Sequence, residues 1–369
     1  MRVLATIGGF VLLGTILFDA FQTMILPRRA AQGVRLTRLF YRLSWTICRL
    51  GARLLSPGNR RENYLSFYGP LSLLLLLVIW AAGLVASFAC LQWALGSHLS
   101  MAQGSPTINT DLYMSGTTFF TLGLGDVTPN SALARVLTVI EAGTGFGFLA
   151  VVIGYLPVLY QAFSRREVSI SLLDARAGSP SSAVELLRRL RPDEGTEPLI
   201  QLLRDWERWA AELLESHISF PVLAYYRSQH DQQSWLGALT TILDLCALVI
   251  VGCDGATANV AQLTFAICRH AAVDLSQILN ARPDGAAAER LPAADFQKLR
   301  TMLEPVGVFR TPGSTPEQRV QELRRMYEPY LNALSHYLLV TLPTFVPANG
   351  ASDDWQTSAW EHVNTNSRH

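Results

Sequence analysis

Residues 121–126, TLGLGD, combine residue types that could bind a bare cation. The two glycines, Gly123 and Gly125, are one residue apart, and glycine adopts positive φ about as readily as negative φ. Alternating glycines therefore allow successive carbonyl oxygens to point to one side of an extended chain. A row of such oxygens can replace the hydration shell of a cation. The chemistry that these residues predict is coordination of a dehydrated cation by main-chain oxygens.

The stretch before this hexapeptide has an unusual length. Residues 111–121, DLYMSGTTFFT, are mostly apolar, but crossing a bilayer takes about 20 helical residues. Such a segment can enter the membrane and turn back, and its backbone polar groups must then be buried in protein or line a wet cavity. An ordinary Gly-rich turn between apolar helices is the competing interpretation. A phosphate-binding loop is disfavoured because no strand precedes it and no lysine follows it.

Composition indicates a membrane portion. Half of the 369 residues are hydrophobic and 16% are charged, below the roughly 25% usual for soluble domains. Residues 1–163 carry eleven arginines against five acidic residues, whereas residues 164–369 carry nineteen basic and twenty-four acidic residues. The two parts are therefore expected to lie in different surroundings. The five cysteines show no paired or metal-type spacing, which favours free thiols in a reducing compartment.

Three apolar stretches predict membrane-spanning helices, at residues 1–26, 64–95 and 133–163. A cleaved signal peptide is the alternative for the first, but its apolar part exceeds the usual 7–15 residues. Residues 27–61 contain nine arginines and no acidic residue, which places this loop in the cytoplasm and the amino terminus outside. No lysine or arginine lies between Arg61 and Arg135, as expected for an external crossing, so the carboxy terminus is cytoplasmic.

Within the basic loop, arginines recur on one side of a predicted helix beside broad apolar surface. This pattern predicts an amphipathic helix in the inner headgroup layer, with anionic lipid headgroups as partners. A voltage sensor is disfavoured because the steps between the arginines are 3, 4, 7 and 4 rather than 3 throughout. The five arginines are Arg35, Arg38, Arg42, Arg49 and Arg53.

The hexapeptide, with a short helix before it and a span on either side, resembles the pore domain of potassium channels, whose filter usually reads TVGYGD. The resemblance covers residues 64–163, and we call residues 121–126 the filter segment. It implies a homotetramer in which four filter segments surround K⁺, with no other cofactor and no enzymatic activity. Asp126 would lie at the outer mouth, where four carboxylates concentrate cations. The implied coordinating residues are Thr121, Leu122, Gly123, Leu124 and Gly125.

Two positions depart from the usual pattern of that family. Leu124 replaces the common tyrosine, and Met114 replaces the tryptophan that many members carry on the pore helix. The hydrogen bond from phenol to indole that braces the filter in those relatives therefore cannot form. Some two-pore-domain potassium channels also have leucine or phenylalanine at this position, so K⁺ selectivity remains the expectation. We expect Leu124 to pack against Met114 and against Phe119 or Phe120.

The third span contains residues that weaken or bend a helix, which makes them candidate gating hinges. Packing is the alternative, because Gly143 and Gly147 form a small-xxx-small pair. The resemblance implies that this span is the pore-lining inner helix. A charge at Glu141 would be costly inside the membrane, so we expect Glu141 to hydrogen-bond behind the filter and Asp19 to be structural. The hinge candidates are Gly143, Gly145, Gly147, Gly154 and Pro157, and the residues expected to support the filter are Met114, Thr117, Thr118 and Glu141.

After Arg166 the chain alternates helical periodicity with Gly- and Pro-rich breaks, which predicts an all-helical cytoplasmic domain. Residues 236–251 are apolar enough to suggest another span, but they are few and include Asp244. A buried core helix is the favoured interpretation. No strand–GxGxxG–helix unit is present, so the sequence does not indicate a nucleotide-binding regulatory domain.

The sequence therefore predicts an all-α membrane protein: three transmembrane helices with a re-entrant pore helix and filter, then an all-helical cytoplasmic domain. Its predicted regions are a first transmembrane helix (1–26), a basic amphipathic helix in the cytoplasm or at the membrane interface (27–63), the pore domain (64–163) and the helical cytoplasmic domain (164–369). The expected function is a passive, potassium-selective channel. A weakly selective cation channel and a non-conducting, membrane-tethered sensor or scaffold remain alternatives. One lysine against twenty-nine arginines suggests a GC-rich prokaryotic genome and hence the plasma (inner) membrane.

Overall fold

The computed structural model describes residues 1–26, 36–101, 105–230, 232–283, 289–309 and 315–346. The chain forms two compact units, Met1–Gln161 and Ala162–His369. The described residues are mostly helical, with two strands of three residues, which confirms the predicted fold class of a helical membrane protein. The region boundaries at residues 26, 63 and 163 stay predictions.

The first unit contains long apolar helices and one short helix between two of them. A small antiparallel sheet of two strands, β1 (Leu99–Met101) and β2 (Val127–Pro129), joins the loop after α4 to the chain beyond the filter segment. Strands of three residues carry no readable periodicity, so the sequence does not predict this sheet. The helices are α1 (Arg2–Met24), α2 (Leu36–Arg53), α3 (Asn59–Ser66), α4 (Tyr68–Ala94), α5 (Ile108–Phe119) and α6 (Ala132–Ala177).

Helix α1 packs along α4, and the two helices approach closely at glycines. A Cβ on Gly83 would lie 2.3 Å from the side chain of Ile16, and one on Gly9 would lie 2.8 Å from that of Leu91. Ile16 and Trp80 are buried in this contact, whereas many other apolar side chains of α1 are exposed. Exposed apolar side chains on a helix of this length are what contact with lipid requires.

A buried carboxylate joins α1, α2 and α4. Asp19 is 4% exposed, and its carboxylate accepts hydrogen bonds from Trp80 Nε1 at 3.0 Å and from Thr37 Oγ1 at 2.6 Å. The backbone N–H of Thr37, in the first turn of α2, also donates to Asp19 Oδ2 at 3.1 Å. Asp19 therefore satisfies one of the free N–H groups at the start of α2 from another helix. This geometry agrees with the structural role expected for Asp19.

Helix α2 has the predicted amphipathic character. Arg38, Arg42 and Arg53 are exposed, and Arg49 is half-buried, while Arg35 lies outside the described residues. A stripe of leucine and isoleucine is also exposed, as on a helix lying at a membrane surface. The basic region is not one helix, because the chain turns at Gly58 (φ 129°) before α3 begins. The exposed apolar residues of α2 are Leu36, Leu39, Leu43, Ile47 and Leu50.

Helix α6 is longer than the predicted third span. The sequence placed its end at Phe163, but the helix runs through Pro157 and ends at Ala177. Residues 164–177 satisfy helical periodicity because Ile170, Leu173 and Ala177 are buried on one face within the second unit. The polar run Ser164-Arg165-Arg166-Glu167 thus marks a change of environment without ending the helix.

The second unit is all-helical in the described residues. A 3-10 helix, Pro221–Tyr225, separates α8 from α9. Helices α12 and α13 are separate, with Pro329 in the first turn of α13. The helices are α7 (Ala183–Leu190), α8 (Glu197–Ser219), α9 (Trp235–Gly252), α10 (Gly255–Ile278), α11 (Ala293–Leu303), α12 (Thr315–Arg325) and α13 (Glu328–Leu338).

Helix α9 is the core of this unit. By length and composition it is one of four helices in the described residues that could cross a membrane. However, every residue from Trp235 to Val249 is buried within the protein, and Asp244 accepts a hydrogen bond from Tyr327 Oη at 2.7 Å and an ion pair from Arg290. A helix surrounded by protein on all sides leaves no face for lipid. This burial supports the interpretation of α9 as a core helix.

Candidate functional site

The backbone of the filter segment alternates between two conformations. Thr121, Gly123 and Gly125 have φ of 58°, 54° and 79°, whereas Leu122 and Leu124 between them are not in the positive-φ region. Positive φ is the default use of glycine, but it is an outlier for a β-branched residue such as threonine. The alternation therefore begins two residues before the first glycine, at Thr121, directly after the C-cap residue Phe120 of α5.

The end of α5 holds the first part of this segment. The carbonyl oxygen of Thr117 accepts hydrogen bonds from the backbone N–H of Leu122 at 2.7 Å and of Gly123 at 3.3 Å. The carbonyl of Thr118 accepts from Thr121 N at 3.0 Å. These carbonyls would otherwise be unpaired at the carboxyl end of the helix. Thr117 and Thr118, predicted as filter supports, act through their main chain in this geometry.

The side chains of the filter segment point away from the rest of the chain. Leu122 is 63% exposed and Leu124 is 65% exposed, while Met114 and Phe119 are buried. This exposure gives no sign of the expected packing of Leu124 on Met114 and on Phe119 or Phe120, which stays a prediction. One chain on its own therefore leaves Leu124 largely uncovered.

Asp126, at the end of the segment, is bonded to α5. The phenol of Tyr113 donates to Asp126 Oδ2 at 2.9 Å. Directly after Asp126 the chain enters β2, where Val127 pairs with Met101 of β1. The segment is thus fixed at its start by Thr117 and at its end by Tyr113 and the two-stranded sheet. Tyr113 was missed from the sequence, although a phenol thirteen residues before an acidic residue was available as a signal.

Behind α5 a single hydroxyl contacts two other helices. Ser115 Oγ donates to the carbonyl of Val85 in α4 at 2.7 Å and is hydrogen-bonded to Glu141 Oε1 of α6. Glu141 is fully buried, and its Oε2 has no hydrogen-bond partner among the described residues. Glu141 therefore lies behind the filter, where the sequence placed it. Ser115 was missed, although a polar residue within an apolar membrane segment is itself a signal.

The four candidate hinge glycines are not equivalent. A Cβ on Gly145 would lie 2.0 Å from the carbonyl oxygen of Phe119, at the end of α5, so no larger residue fits there. Gly143, Gly147 and Gly154 have nothing within 4 Å of a Cβ. At 100° per residue, these three share a face of α6 about 200° from Glu141. Within one chain the small-xxx-small pair of Gly143 and Gly147 therefore has no helix packed on it.

Further buried polar contacts lie where α4 ends and α6 begins, in the hairpin formed by α4, α5 and α6. Gln92 of α4 donates to the carbonyl of Ala134 and to Thr138 Oγ1 in α6, both at 3.2 Å. Asp111 of α5 is fully buried and accepts from Ser97 Oγ at 2.6 Å. These bonds, with those of Ser115, fix α4, α5 and α6 relative to one another. The hairpin is therefore a built scaffold that presents residues 121–126 on one exposed side.

This geometry, two membrane helices around a re-entrant helix and an exposed Gly-rich strand, agrees with comparisons of the sequence. Residues 73–161 match the model of a family described as ion channel. The match supports an ion-channel domain of the two-membrane-helix pore type in this part of the chain.

One curated relative extends the likeness beyond the hairpin. The chain is 28% identical over 240 residues, 64% of its length, to YdjJ of Bacillus subtilis (strain 168), described as an uncharacterized membrane protein and covered over 67% of its own length. No solved structure matches the chain. Both likenesses agree with a membrane protein that contains several apolar helices.

Proposed function

We propose that four copies of this chain form a passive potassium channel in which the backbone carbonyls of residues 121–125 coordinate the ion. The observation that carries the proposal is the alternation of φ at Thr121, Gly123 and Gly125. Thr121 takes the left-handed conformation that commonly ends a helix, since Leu122 N–H bonds back to the Thr117 carbonyl. The alternation then continues at Gly123 and Gly125, beyond what ending the helix requires.

The need for four copies follows from what one chain leaves uncovered. Residues 121–126 of a single chain are almost entirely exposed, yet irregular backbone at membrane depth must be buried in protein or line a wet cavity. One strand cannot surround an ion, and a carbonyl filter is built from four strands. In a tetramer, Leu124 would find its packing partners on neighbouring subunits, and four copies of Asp126 would surround the outer mouth.

The other side of α6 fits the same assembly. The face that carries Gly143, Gly147 and Gly154 has open space around it, and Pro157 lies within the same helix. We assign this face to the pore and to neighbouring subunits, with these residues as the flexible points of gating. Gly145 serves packing against Phe119 instead. The remaining assignments are K⁺ in the filter, anionic headgroups at the exposed arginines of α2, and a plasma membrane location.

Potassium efflux from vesicles containing the purified chain tests this proposal, with Gly123→Ala as the key variant. A Cβ on Gly123 meets nothing within 4 Å, so alanine would act only through the positive φ of 54°, which costs an L residue about 1–2 kcal/mol. Gly14→Ala is the matched control, since its Cβ also enters open space but lies in α1, a helix that the proposal does not assign to the pore. We expect efflux from wild type and a severalfold smaller efflux from Gly123→Ala.

Two outcomes would favour the alternatives. Equal efflux of Na⁺ and K⁺ would indicate a weakly selective channel. No efflux from wild-type vesicles, with the protein folded, would indicate a membrane-tethered sensor or scaffold.

A further inference from the structure

We infer that Glu141 is held as the neutral acid and donates a hydrogen bond to Ser115, which locks the re-entrant helix α5 between α4 and α6. This inference deepens the proposed function, on which its gating consequence rests, and it makes Glu141 and Ser115 positioning residues. Its evidence is the hydrogen-bond geometry around one hydroxyl group.

The Ser115 hydroxyl has too few protons for its two contacts if Glu141 is ionised. Ser115 Oγ lies 2.7 Å from the carbonyl oxygen of Val85 and also contacts Glu141 Oε1. A serine hydroxyl has one proton to donate, and both a carbonyl and an ionised carboxylate can only accept. Both contacts are hydrogen bonds only if Glu141 supplies a proton. The chain of donors then runs from the Glu141 carboxyl to Ser115 Oγ and from Ser115 to Val85.

The second oxygen of the same carboxyl group, Oε2, gives independent evidence. Glu141 Oε2 is buried and has no hydrogen-bond partner among the described residues. An ionised carboxylate in an apolar site needs partners for both oxygens, whereas a neutral acid leaves a carbonyl oxygen that is far less costly to bury. Both oxygens of Glu141 therefore indicate the neutral form.

The hydrogen bond between Glu141 and Ser115 is connected to the filter segment through α5. Ser115 is two residues before Thr117, whose carbonyl holds the N–H groups of Leu122 and Gly123. Gly145, one helical turn after Glu141, lies against the carbonyl of Phe119 at the end of α5. Residues 141 and 145 lie on the same face of α6. This face therefore fixes α5 at two points, one by a hydrogen bond and one by close contact, and α5 in turn fixes the start of the filter.

Substitutions at position 141 test whether Glu141 donates this hydrogen bond. Glutamine at position 141 keeps an N–H donor for Ser115 at nearly the same size, whereas leucine keeps the size and removes the donor. Removing the donor leaves its buried partner unsatisfied, and a tenfold change in a rate or an equilibrium corresponds to about 1.4 kcal/mol. We expect Glu141→Leu and Ser115→Ala each to shorten the mean open lifetime of single channels about tenfold.

The double variant should be no worse than either single variant, because both remove the same bond. Glu141→Gln should restore the wild-type lifetime to within a few-fold. Wild-type lifetimes in Glu141→Leu, or additive effects in the double variant, would overturn the lock.

Infrared spectroscopy of the full chain in vesicles tests the proton directly. At pH 7 the wild type should absorb as a protonated carboxyl group, and Glu141→Gln should lose part of that band. Asp126→Asn, which removes an exposed carboxylate, should keep it. An unchanged band in Glu141→Gln would overturn the inference. The infrared comparison does not depend on ion flux. Vesicles that conduct no ions would overturn the proposed channel function, and the infrared spectra would still test whether Glu141 is neutral.

Discussion

The phenol of Tyr113 and the carboxylate of Asp126 are joined by a hydrogen bond of 2.9 Å between the re-entrant helix and the end of the filter segment. This bond joins the helix before the filter segment to the end of the segment, because Tyr113 lies in α5 and Asp126 is the last residue of residues 121–126. In the proposed channel it would take the place of the phenol-to-indole brace that Leu124 and Met114 make impossible. A filter braced at its outer end through an exposed bond should be sensitive to that single contact.

We therefore expect Tyr113→Phe, which removes only the hydroxyl, to shorten open lifetimes severalfold without preventing assembly. Single-channel recording of the variant in lipid bilayers measures this effect. In an Asp126→Asn background the same substitution should matter less, because the charge-assisted bond is already lost. Equal effects in both backgrounds would show that the Tyr113 hydroxyl acts elsewhere.

The glycines of α6 offer a matched comparison of packing and flexibility. Gly145→Ala places a Cβ 2.0 Å from the Phe119 carbonyl oxygen, and overpacking of this kind typically costs about 1–3 kcal/mol. We expect Gly145→Ala to lower the unfolding temperature of the detergent-solubilised protein, and Gly143→Ala to leave it nearly unchanged. Similar unfolding temperatures for the two variants would contradict the close contact between α6 and α5.

Asp19 predicts a stability effect that is independent of conduction. Asp19→Ala leaves Trp80 Nε1 and the Thr37 N–H buried without their acceptor, at a cost of about 1–3 kcal/mol for each unsatisfied group. Thr15→Ala, an exposed change on the same helix, should stay within about 0.5 kcal/mol of wild type. Thermal unfolding in detergent measures both. If Asp19→Ala were as stable as Thr15→Ala, the junction of α1, α2 and α4 would be described wrongly.

His217 predicts a pH dependence in the second unit. Burial, and secondarily the charge of Arg166, lower the pKa of His217 from 6.5 to about 3. Its Nε2 lies 3.3 Å from Arg166 Nη1 and its Nδ1 lies 2.8 Å from the Leu213 carbonyl, so the neutral ring accepts from arginine and donates to the carbonyl. The unfolded chain gains a proton below pH 6.5, whereas the folded chain does not.

Stability is therefore fully present above pH 6.5 and falls as the pH decreases toward 3, by at most about 1.4 kcal/mol per pH unit. Denaturant unfolding of the full chain between pH 7 and pH 5 measures this slope. His217→Gln, which does not titrate, should show a smaller slope. The same slope in both proteins would mean that His217 does not remain neutral.

The sequence predicted the elements of this fold better than their contacts. Long apolar runs and arginine asymmetry were sufficient for the membrane helices, since bilayer thickness sets their length. The alternation at residues 121–125 was readable from Gly123 and Gly125, but its extension to Thr121 was not, because threonine gives no sign of positive φ.

Contacts behind the filter were harder to predict. The sequence shows that position 114 lacks an indole, but it does not show that the neighbouring Tyr113 reaches Asp126. The side of a short helix that faces a reversing chain is not encoded in residue spacing. The continuation of α6 to Ala177 was missed for a related reason. Polar residues marked its exit from the membrane, but burial of Ile170 and Leu173 in the second unit sustains the helix.

The reversal potential of the purified protein in a planar bilayer, with K⁺ on one side and Na⁺ on the other, tests the central claim most directly. If carbonyl oxygens of four filter segments coordinate dehydrated K⁺, the reversal potential should lie far toward the K⁺ equilibrium potential, and Gly123→Ala should reduce that current severalfold and move its reversal potential toward zero. A reversal potential near zero, or an unchanged K⁺ preference in Gly123→Ala, would contradict selection by these oxygens.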